Sequence, residues 1–320
     1  MIALLLSATL AAGAPEAGSF TWTTSDGDVW THATLIEHPE PGEDRGLGVM
    51  IFGGGYATDL HWTVPGAYEH NGETQPLTID GAPTRDADDL AQAFLDAGFT
   101  VLRYSAIREG DPLRAENPLH AQTRPFGETL EMARAAWDAM LDASGFDPGD
   151  VYVVGHSMGA TRGVLASGGH AAGYVLLAGA YVTPINGGTR RLAEEAADEP
   201  GEDFDGSGGI AGWERAAARA LRERPFEHAE PFRADGAELA WVSDVLADSD
   251  APVLALWGGL DTISLHGPVL EHLLGDRVET VYEPELGHAL APDQGGLTGP
   301  IDPRVVDRIG SWLADRASEE

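Results

Sequence analysis

The sequence predicts an α/β fold, because short apolar runs of strand length alternate along the chain with amphipathic stretches of helix length. The predicted core strands are LGVMIF at 47–52, FTVLRYS at 99–105, VYVVG at 151–155, GYVLLAGA at 173–180, PVLALWGG at 252–259 and RVETVYE at 277–283. Predicted helices cover 86–97, 128–144, a stretch from Ala160, and 303–317. Runs that are apolar throughout are typical of parallel strands, whose crossover helices cover both faces of the sheet.

Two segments depart from this alternation. Residues 20–36 alternate in the manner of edge strands, with SDGD as the turn between them. From about 183 to 250 the strands give way to polar, Ala- and Glu-rich sequence that favours helix. We interpret 183–250 as a helical cap inserted over the carboxyl edge of the sheet, where ligands bind in open α/β folds. The predicted core is then 20–182 together with 251–317.

Acidic residues dominate the charge: 52 Asp and Glu face 19 basic residues, all of them Arg, for a net charge of −33. Such a charge repels phosphate backbones and anionic lipid headgroups. We therefore predict no nucleic-acid partner and no binding to an anionic membrane surface. The absence of Cys excludes disulfides and thiolate metal sites.

The chain begins with an apolar run of signal-peptide length, residues 1–14, that ends in small residues. The run is too short to cross a bilayer as a stable anchor. It predicts a cleaved signal peptide, a secreted or periplasmic protein, and no stable membrane insertion after cleavage. Because the run has no Lys or Arg and Pro15 follows it, an uncleaved cytoplasmic chain is the alternative.

The strongest local pattern is VYVVGHSMGA at 151–160, which is a β-branched strand, then G-x-S-x-G, then small residues that open a helix. A nucleophile on such a sharp strand-to-helix turn has strained dihedral angles, and glycines on both sides avoid collisions with the neighbouring strand and helix. Gly155 and Gly159 occupy those positions. The pattern predicts Ser157 as a nucleophile.

From about residue 45 to 315 the chain resembles the α/β-hydrolase superfamily of serine hydrolases, including esterases and serine aminopeptidase-like enzymes. The family order is nucleophile, acid, histidine. Asp261 in LALWGGLDTIS follows one predicted strand and His288 in VYEPELGHAL follows the next, so both match the family's positions. The resemblance implies an α/β-hydrolase fold with a mostly parallel sheet, in which His288 is the general base and Asp261 orients it.

The same resemblance implies an oxyanion hole. One donor is expected to be the amide of Met158, directly after the nucleophile. FGGGY at 52–56 resembles the family's HGGG loop, with Phe52 where His is usual. We expect the second donor from Gly54 and Gly55, with Tyr56 as the alternative.

A separate motif in the predicted cap, DFDGSGGIAGWE at 203–214, resembles an EF-hand calcium loop. The resemblance implies Ca²⁺ ligands from Asp203, Asp205 and Ser207, the carbonyl of Gly209, a water near Ala211, and both carboxylate oxygens of Glu214. Pro200 and Gly201 depart from the pattern, because they interrupt the usual entering helix. We expect a structural Ca²⁺ and no cofactor for catalysis.

The leading hypothesis is a serine hydrolase that cleaves carboxylic ester bonds through an acyl-enzyme, and the expected partner is a small-molecule ester or peptide substrate. A serine aminopeptidase-like peptidase and an acyltransferase would use the same three residues, and a non-catalytic, calcium-dependent binding protein is the alternative from another class. His61, Trp62 and Tyr56 are candidates for lining the pocket, with core packing as the equal alternative. Arg103 and Arg108 are predicted to be structural partners of the abundant carboxylates.

Overall fold

The computed structural model describes residues 15–24, 26–54, 59–70, 73–108, 126–179, 242–261, 274–294 and 297–318. The predicted signal peptide lies outside these residues, and so does 183–241, most of the predicted cap. The motif at 203–214 belongs to that part of the chain. The signal peptide, the cap and the calcium loop therefore remain predictions.

The strands in chain order are β1 (Glu16–Thr23), β2 (Val29–Glu37), β3 (Gly48–Phe52), β4 (Thr63–Val64), β5 (Ala67–His70), β6 (Glu73–Pro76), β7 (Thr84–Arg85), β8 (Thr100–Arg108), β9 (Val151–His156), β10 (Gly173–Leu177), β11 (Val253–Gly258), β12 (Val278–Glu283), β13 (Asp293–Gln294) and β14 (Leu297–Thr298). The α-helices are α1 (Asp86–Asp96), α2 (Phe126–Ser144), α3 (Met158–Ser167), α4 (Val242–Ala247) and α5 (Pro303–Arg316). Single 3₁₀ turns cover Pro148–Asp150 and Gly275–Arg277.

Within the described residues the main sheet has eight strands in the order β1-β2-β8-β3-β9-β10-β11-β12. From β8 to β12 all neighbours are parallel. The hairpin β1–β2 joins one side, and β2 pairs with β8 in antiparallel fashion. The prediction of a mostly parallel α/β sheet with an edge hairpin is confirmed.

Helices cover both faces of the sheet, because alternate residues of each central strand point to opposite sides. In β3, Met50 and Phe52 pack into the core shared with α2, α3 and α4. Val49 and Ile51 pack into the opposite core, shared with α1 and α5. Burial on both faces explains why the central strands are apolar throughout.

The structure adds elements that the sequence analysis did not predict. In the described ranges, three two-stranded ribbons, β4–β7, β5–β6 and β13–β14, have strands of two to four residues. Such strands are too short to show a period of two in the sequence. Helix α3 begins at Met158 rather than Ala160, so it follows Ser157 without a linker. None of the helices in the described ranges is both long and apolar enough to span a membrane.

Candidate active site

Ser157 lies on the turn between β9 and α3, at the carboxyl edge of the sheet. Its backbone has φ 53° and ψ −125°, a conformation that a residue with a side chain rarely adopts. The Ser157 amide donates a hydrogen bond of 2.8 Å to the carbonyl oxygen of Leu177 on β10. A strained, well-anchored residue at the end of a central strand is typical of a functional site.

The two glycines of the motif are required by close packing. A Cβ at Gly155 would lie 2.5 Å from the Cα of Ala160. A Cβ at Gly159 would lie 2.1 Å from the carbonyl oxygen of Phe52, at the end of β3. Backbone atoms cannot yield by that much, so α3 approaches β9 and β3 this closely only because both positions are Gly.

The structure brings Ser157, His288 and Asp261 together. His288 Nδ1 lies 2.9 Å from Asp261 Oδ2, and His288 Nε2 lies 3.0 Å from Ser157 Oγ. The Asp261 side chain is fully buried, whereas the His288 side chain is 21% exposed. A carboxylate accepts hydrogen bonds only, so Nδ1 carries the proton and Nε2 is free to accept from the Ser157 hydroxyl.

Two of the three predicted oxyanion residues lie beside Ser157. Met158 is the first residue of α3. A Cβ at Gly54 would lie 3.1 Å from the Cβ of Ser157, so the backbone of Gly54 passes next to Ser157. Gly55 and Tyr56 lie outside the described residues.

His156 is a site residue that the sequence analysis missed. Its Nε2–H donates a 2.8 Å hydrogen bond to the carbonyl oxygen of His288. Its ring centroid lies 5.0 Å from that of His288 and 6.0 Å from that of Trp62, which has a positive φ of 51°. Burial, with a smaller contribution from the nearby His288, lowers the pKa of His156 to about 4. The sequence feature that could have identified His156 was its position directly before Ser157, at the first variable residue of G-x-S-x-G.

Arg162 is a second residue that the sequence analysis missed. It lies on α3, one helical turn after Met158, and its side chain is completely buried. The guanidinium donates from Nη2 to the carbonyl oxygen of Gly53, at 3.1 Å, and from Nε to that of Met158, at 3.3 Å. The available signal was a single charged residue in a short helix of otherwise small and apolar residues.

The loop that follows the glycines is fixed by a cluster of charged residues. Arg103 Nη1 donates to the carbonyl oxygen of Leu60, at 3.0 Å, and to Asp88, at 2.6 Å, and Nη2 donates to Glu37. His61 Nδ1 lies 2.7 Å from the same Asp88. Burial alone would raise the pKa of Asp88, but the hydrogen bonds from His61 and Arg103 outweigh it and lower the pKa. Arg103 thus contacts carboxylates, as predicted.

The other aromatic and charged candidates have packing contacts. Arg108 lies over the ring of Trp30, with its Cζ 4.7 Å from the ring centroid. Trp62 is buried and belongs to the core shared with α1 and α5. In the part of the chain that the structure describes, no group of three or more His, Cys, Asp or Glu residues is arranged to hold a metal ion.

Comparison with known proteins agrees with this architecture. A family model described as "Alpha/beta hydrolase family" matches residues 53–296. No curated protein matches the sequence. Among solved structures, a bacterial brefeldin A esterase, described as a homologue of human hormone-sensitive lipase, is similar with a TM-score of 0.53 and 20% identity, over 100% of this chain and 81% of that chain.

Two further structures are similar at lower identity. An esterase from the archaeon Pyrobaculum calidifontis has a TM-score of 0.51 and 16% identity, over 96% of this chain and 85% of that chain. A 2,6-dihydroxy-pseudo-oxynicotine hydrolase has a TM-score of 0.50 and 14% identity, over 95% of this chain and 68% of that chain. At these identities the likeness shows the fold alone.

Proposed function

Because the chain belongs to the alpha/beta hydrolase family, we propose that it is a serine hydrolase that cleaves carboxylic esters through an acyl-enzyme intermediate. The observation that carries this proposal is the position of His288, with one ring nitrogen 3.0 Å from Ser157 Oγ and the other 2.9 Å from Asp261. A serine hydroxyl is a weak nucleophile until a neighbouring base takes its proton, and a carboxylate behind that base fixes its tautomer.

In the proposed reaction, Ser157 Oγ attacks the ester carbonyl carbon while its proton passes to His288 Nε2. The carbonyl oxygen becomes an oxyanion, which accepts hydrogen bonds from the amides of Met158 and the glycine loop. The tetrahedral intermediate then collapses, and the leaving alkoxide takes the proton from His288. A water molecule then attacks the carbonyl carbon of the acyl-enzyme while its proton passes to His288 Nε2. When this second tetrahedral intermediate collapses, the bond to Ser157 Oγ breaks and Oγ takes the proton from His288, which releases the acid and restores the Ser157 hydroxyl.

Two neighbours of His288, Asp261 and His156, lie close enough to act on the imidazolium that forms during each step. Asp261 is fully buried and lies against Nδ1, so its negative charge acts through little solvent. The adjacent His156 is uncharged at neutral pH, since its pKa is lowered to about 4. A second cation therefore does not oppose the charge on His288. The proposed reaction uses no cofactor.

The first test is reaction of the purified protein with a fluorophosphonate probe, followed by mass spectrometry of the labelled peptide. We expect label on Ser157 and none on the Ser157→Ala variant. Ser167 provides a matched control, because it is also buried but hydrogen-bonds to the Val164 carbonyl and Tyr174 instead of a histidine. The Ser167→Ala variant should still be labelled on Ser157.

A screen of p-nitrophenyl esters and peptide p-nitroanilides then separates ester hydrolysis from peptidase activity. Ester hydrolysis that disappears in Ser157→Ala would support the proposal. Amide hydrolysis without ester hydrolysis would favour the peptidase alternative. Folded wild-type protein that neither labels nor hydrolyses any ester would refute the proposal and favour a binding protein.

A further inference from the structure

Arg162 is a fully buried charge to which the proposed reaction assigns no step. It lies on the helix that begins directly after Ser157. Its guanidinium contacts the carbonyl oxygens of Met158 and Gly53, which belong to the two segments that carry the proposed oxyanion donors. Burying a guanidinium has a large desolvation cost, so its position calls for a physical explanation.

The contact with Gly53 fixes the orientation of one particular peptide unit. The carbonyl of Gly53 and the amide of Gly54 belong to the same peptide bond, and the described part of the chain has no cis peptide. In a planar trans peptide the C=O and N–H point in opposite directions. With the Gly53 oxygen held at 3.1 Å from Arg162 Nη2, the Gly54 N–H is directed away from α3.

The packing of Gly159 supports this orientation. A Cβ at Gly159 would lie 2.5 Å from the Gly53 oxygen, so that oxygen faces the helix. Gly54 also passes beside Ser157, as its own Cβ position shows. A hydrogen bond from a charged donor is roughly twice as strong as one between neutral groups, which suits it to holding a glycine-rich segment whose backbone can adopt many conformations.

We propose that Arg162 is a positioning residue for the oxyanion hole, which acts by fixing the Gly53–Gly54 peptide so that the Gly54 amide is aimed at the developing oxyanion. The inference rests on the proposed serine mechanism. Arg162 does not touch the substrate. Its effect should therefore appear in the transition state, where the oxyanion exists, and not in substrate binding.

The test compares Arg162→Met and Arg162→Lys with wild type, after thermal denaturation has shown that each variant is folded at the assay temperature. Two quantities are measured: kcat and KM for a p-nitrophenyl ester, and Ki for an alkyl trifluoromethyl ketone. The ketone forms an oxyanion adduct with the serine, so its Ki reports the oxyanion hole more directly than KM does.

Arg277→Met is the matched control. Arg277 also donates to two backbone carbonyls, those of Leu246 and Ala247, both at 2.8 Å, but these carbonyls are at the end of α4. Arg162→Met and Arg277→Met therefore each remove a guanidinium that contacts two backbone carbonyls. Only Arg162→Met disturbs the glycine loop, and Arg277→Met should keep kcat and Ki.

Loss of one oxyanion donor lowers kcat by about 10²–10³, and misalignment should cost less. We expect Arg162→Met to lower kcat by roughly tenfold to a hundredfold with KM nearly unchanged, and to raise Ki by a similar factor. Arg162→Lys, which keeps the charge and a donor, should fall between Met and wild type.

The proposal is wrong if folded Arg162→Met keeps kcat and Ki, or if KM rises while kcat stays constant. If Arg162→Met does not fold, folded Arg162→Lys carries the test, and wild-type kcat and Ki in that variant would overturn the proposal. If the proposed function is wrong, the wild-type protein will neither react with the fluorophosphonate probe nor hydrolyse an ester. Failure of this inference would be visible only in the Arg162 variants.

Discussion

His156 Nε2 donates a 2.8 Å hydrogen bond to the backbone carbonyl oxygen of His288, so the residue before the proposed nucleophile contacts the residue proposed as its base. The turn that holds His156 and Ser157 is therefore linked to the His288 loop twice. One link is this bond, and the other is the 3.0 Å contact between Ser157 Oγ and His288 Nε2. Two contacts fix the His288 loop more narrowly than one, because the backbone cannot shift while the side chain stays in place. Accurate placement of the base is what the transfer of the Ser157 proton requires.

Removing the His156 donor should reduce turnover. His156→Leu leaves the His288 carbonyl without this bond, at a cost of about 1–3 kcal/mol. If half of that cost appears as misplacement of His288, kcat/KM should fall by roughly twofold to tenfold. His156→Gln places an amide donor near the position of Nε2 and should retain most of the activity. Steady-state kinetics of both variants checks the prediction, and equal losses in Leu and Gln would contradict it.

The same residue should affect stability in acid. The pKa of His156 is lowered to about 4 in the folded protein, whereas an unfolded histidine titrates near 6.5. As the pH falls from about 6.5 towards 4, the unfolded chain gains a proton that the folded chain does not, so the free energy of unfolding decreases. His156→Gln should lose this contribution, which urea denaturation at pH 4 and pH 7 would measure against wild type.

Ser157 was predictable from the strand and the small residues around its G-x-S-x-G motif, whereas Asp261 and His288 were identified through their match to the acid and histidine positions of the family. His156 and Arg162 act on backbone carbonyls of His288 and Gly53, more than a hundred residues away along the chain. A backbone carbonyl carries no residue-specific signature. The sequence could therefore single out His156 and Arg162 as residues, but it could not identify the distant carbonyl that each of them contacts.

The core strands were predictable for a different reason from the ribbons. β10, and β9 as far as His156 at its end, are apolar because helices cover both of their faces, and that pattern is visible in one sequence. The ribbon β4–β7 has two residues in each strand, and its pairing of Thr63 with Arg85 spans a segment that includes β5 and β6. Long-range pairing of polar residues leaves no periodic trace.

Gly159→Ala should damage the site, whereas a glycine on another helix should tolerate the same change. The added Cβ would lie 2.1 Å from the Phe52 oxygen and 2.5 Å from the Gly53 oxygen, which forces α3 and the glycine loop apart. We expect a loss of about 1–3 kcal/mol or more in stability, together with a large drop in kcat/KM. Thermal denaturation and ester kinetics measure the two effects.

Gly310→Ala is the control for that substitution. Gly310 lies inside α5, and apart from the adjacent backbone of that helix no heavy atom lies within 4 Å of its Cβ position. The variant should be more stable by about 0.5–1 kcal/mol, because alanine favours the helix, and should keep wild-type kinetics. Tolerance of Gly159→Ala with unchanged activity would contradict the packing described for α3.

Calcium should stabilise the protein if 203–214 forms the proposed loop. A ligand that binds only the folded state raises the free energy of unfolding by about 2.7 kcal/mol at a hundred times its Kd. We expect the Tm to rise with Ca²⁺ and fall with a chelator. Asp203→Ala should abolish the response, and Glu194→Ala, an acidic residue outside the loop, should keep it. The same Tm with calcium and with chelator would exclude a structural calcium site.

Asp86 tests how a buried carboxylate outside the site affects the pH dependence of stability. It is 8% exposed at the start of α1, and its Oδ1 accepts a 3.2 Å hydrogen bond from the Ile301 amide, just before α5. Burial raises the pKa of Asp86 to about 6, although the bond from Ile301 opposes the shift. An unfolded aspartate ionises near 3.9, so from about pH 4 to 6 the unfolded chain holds fewer protons and the free energy of unfolding decreases as the pH rises.

Asp86→Asn should remove that pH dependence. The amide oxygen can still accept from Ile301, and no charge is buried at any pH. The variant should be more stable than wild type above pH 6 by about 1–3 kcal/mol, with the difference vanishing near pH 4. Urea denaturation at pH 4 and pH 8 measures it. Asp96→Asn, on the exposed end of the same helix, should change stability by less than about 0.5 kcal/mol at both pH values. A destabilised Asp86→Asn at pH 8 would mean that the ionised carboxylate stabilises the contact between α1 and the segment before α5, contrary to the desolvation argument.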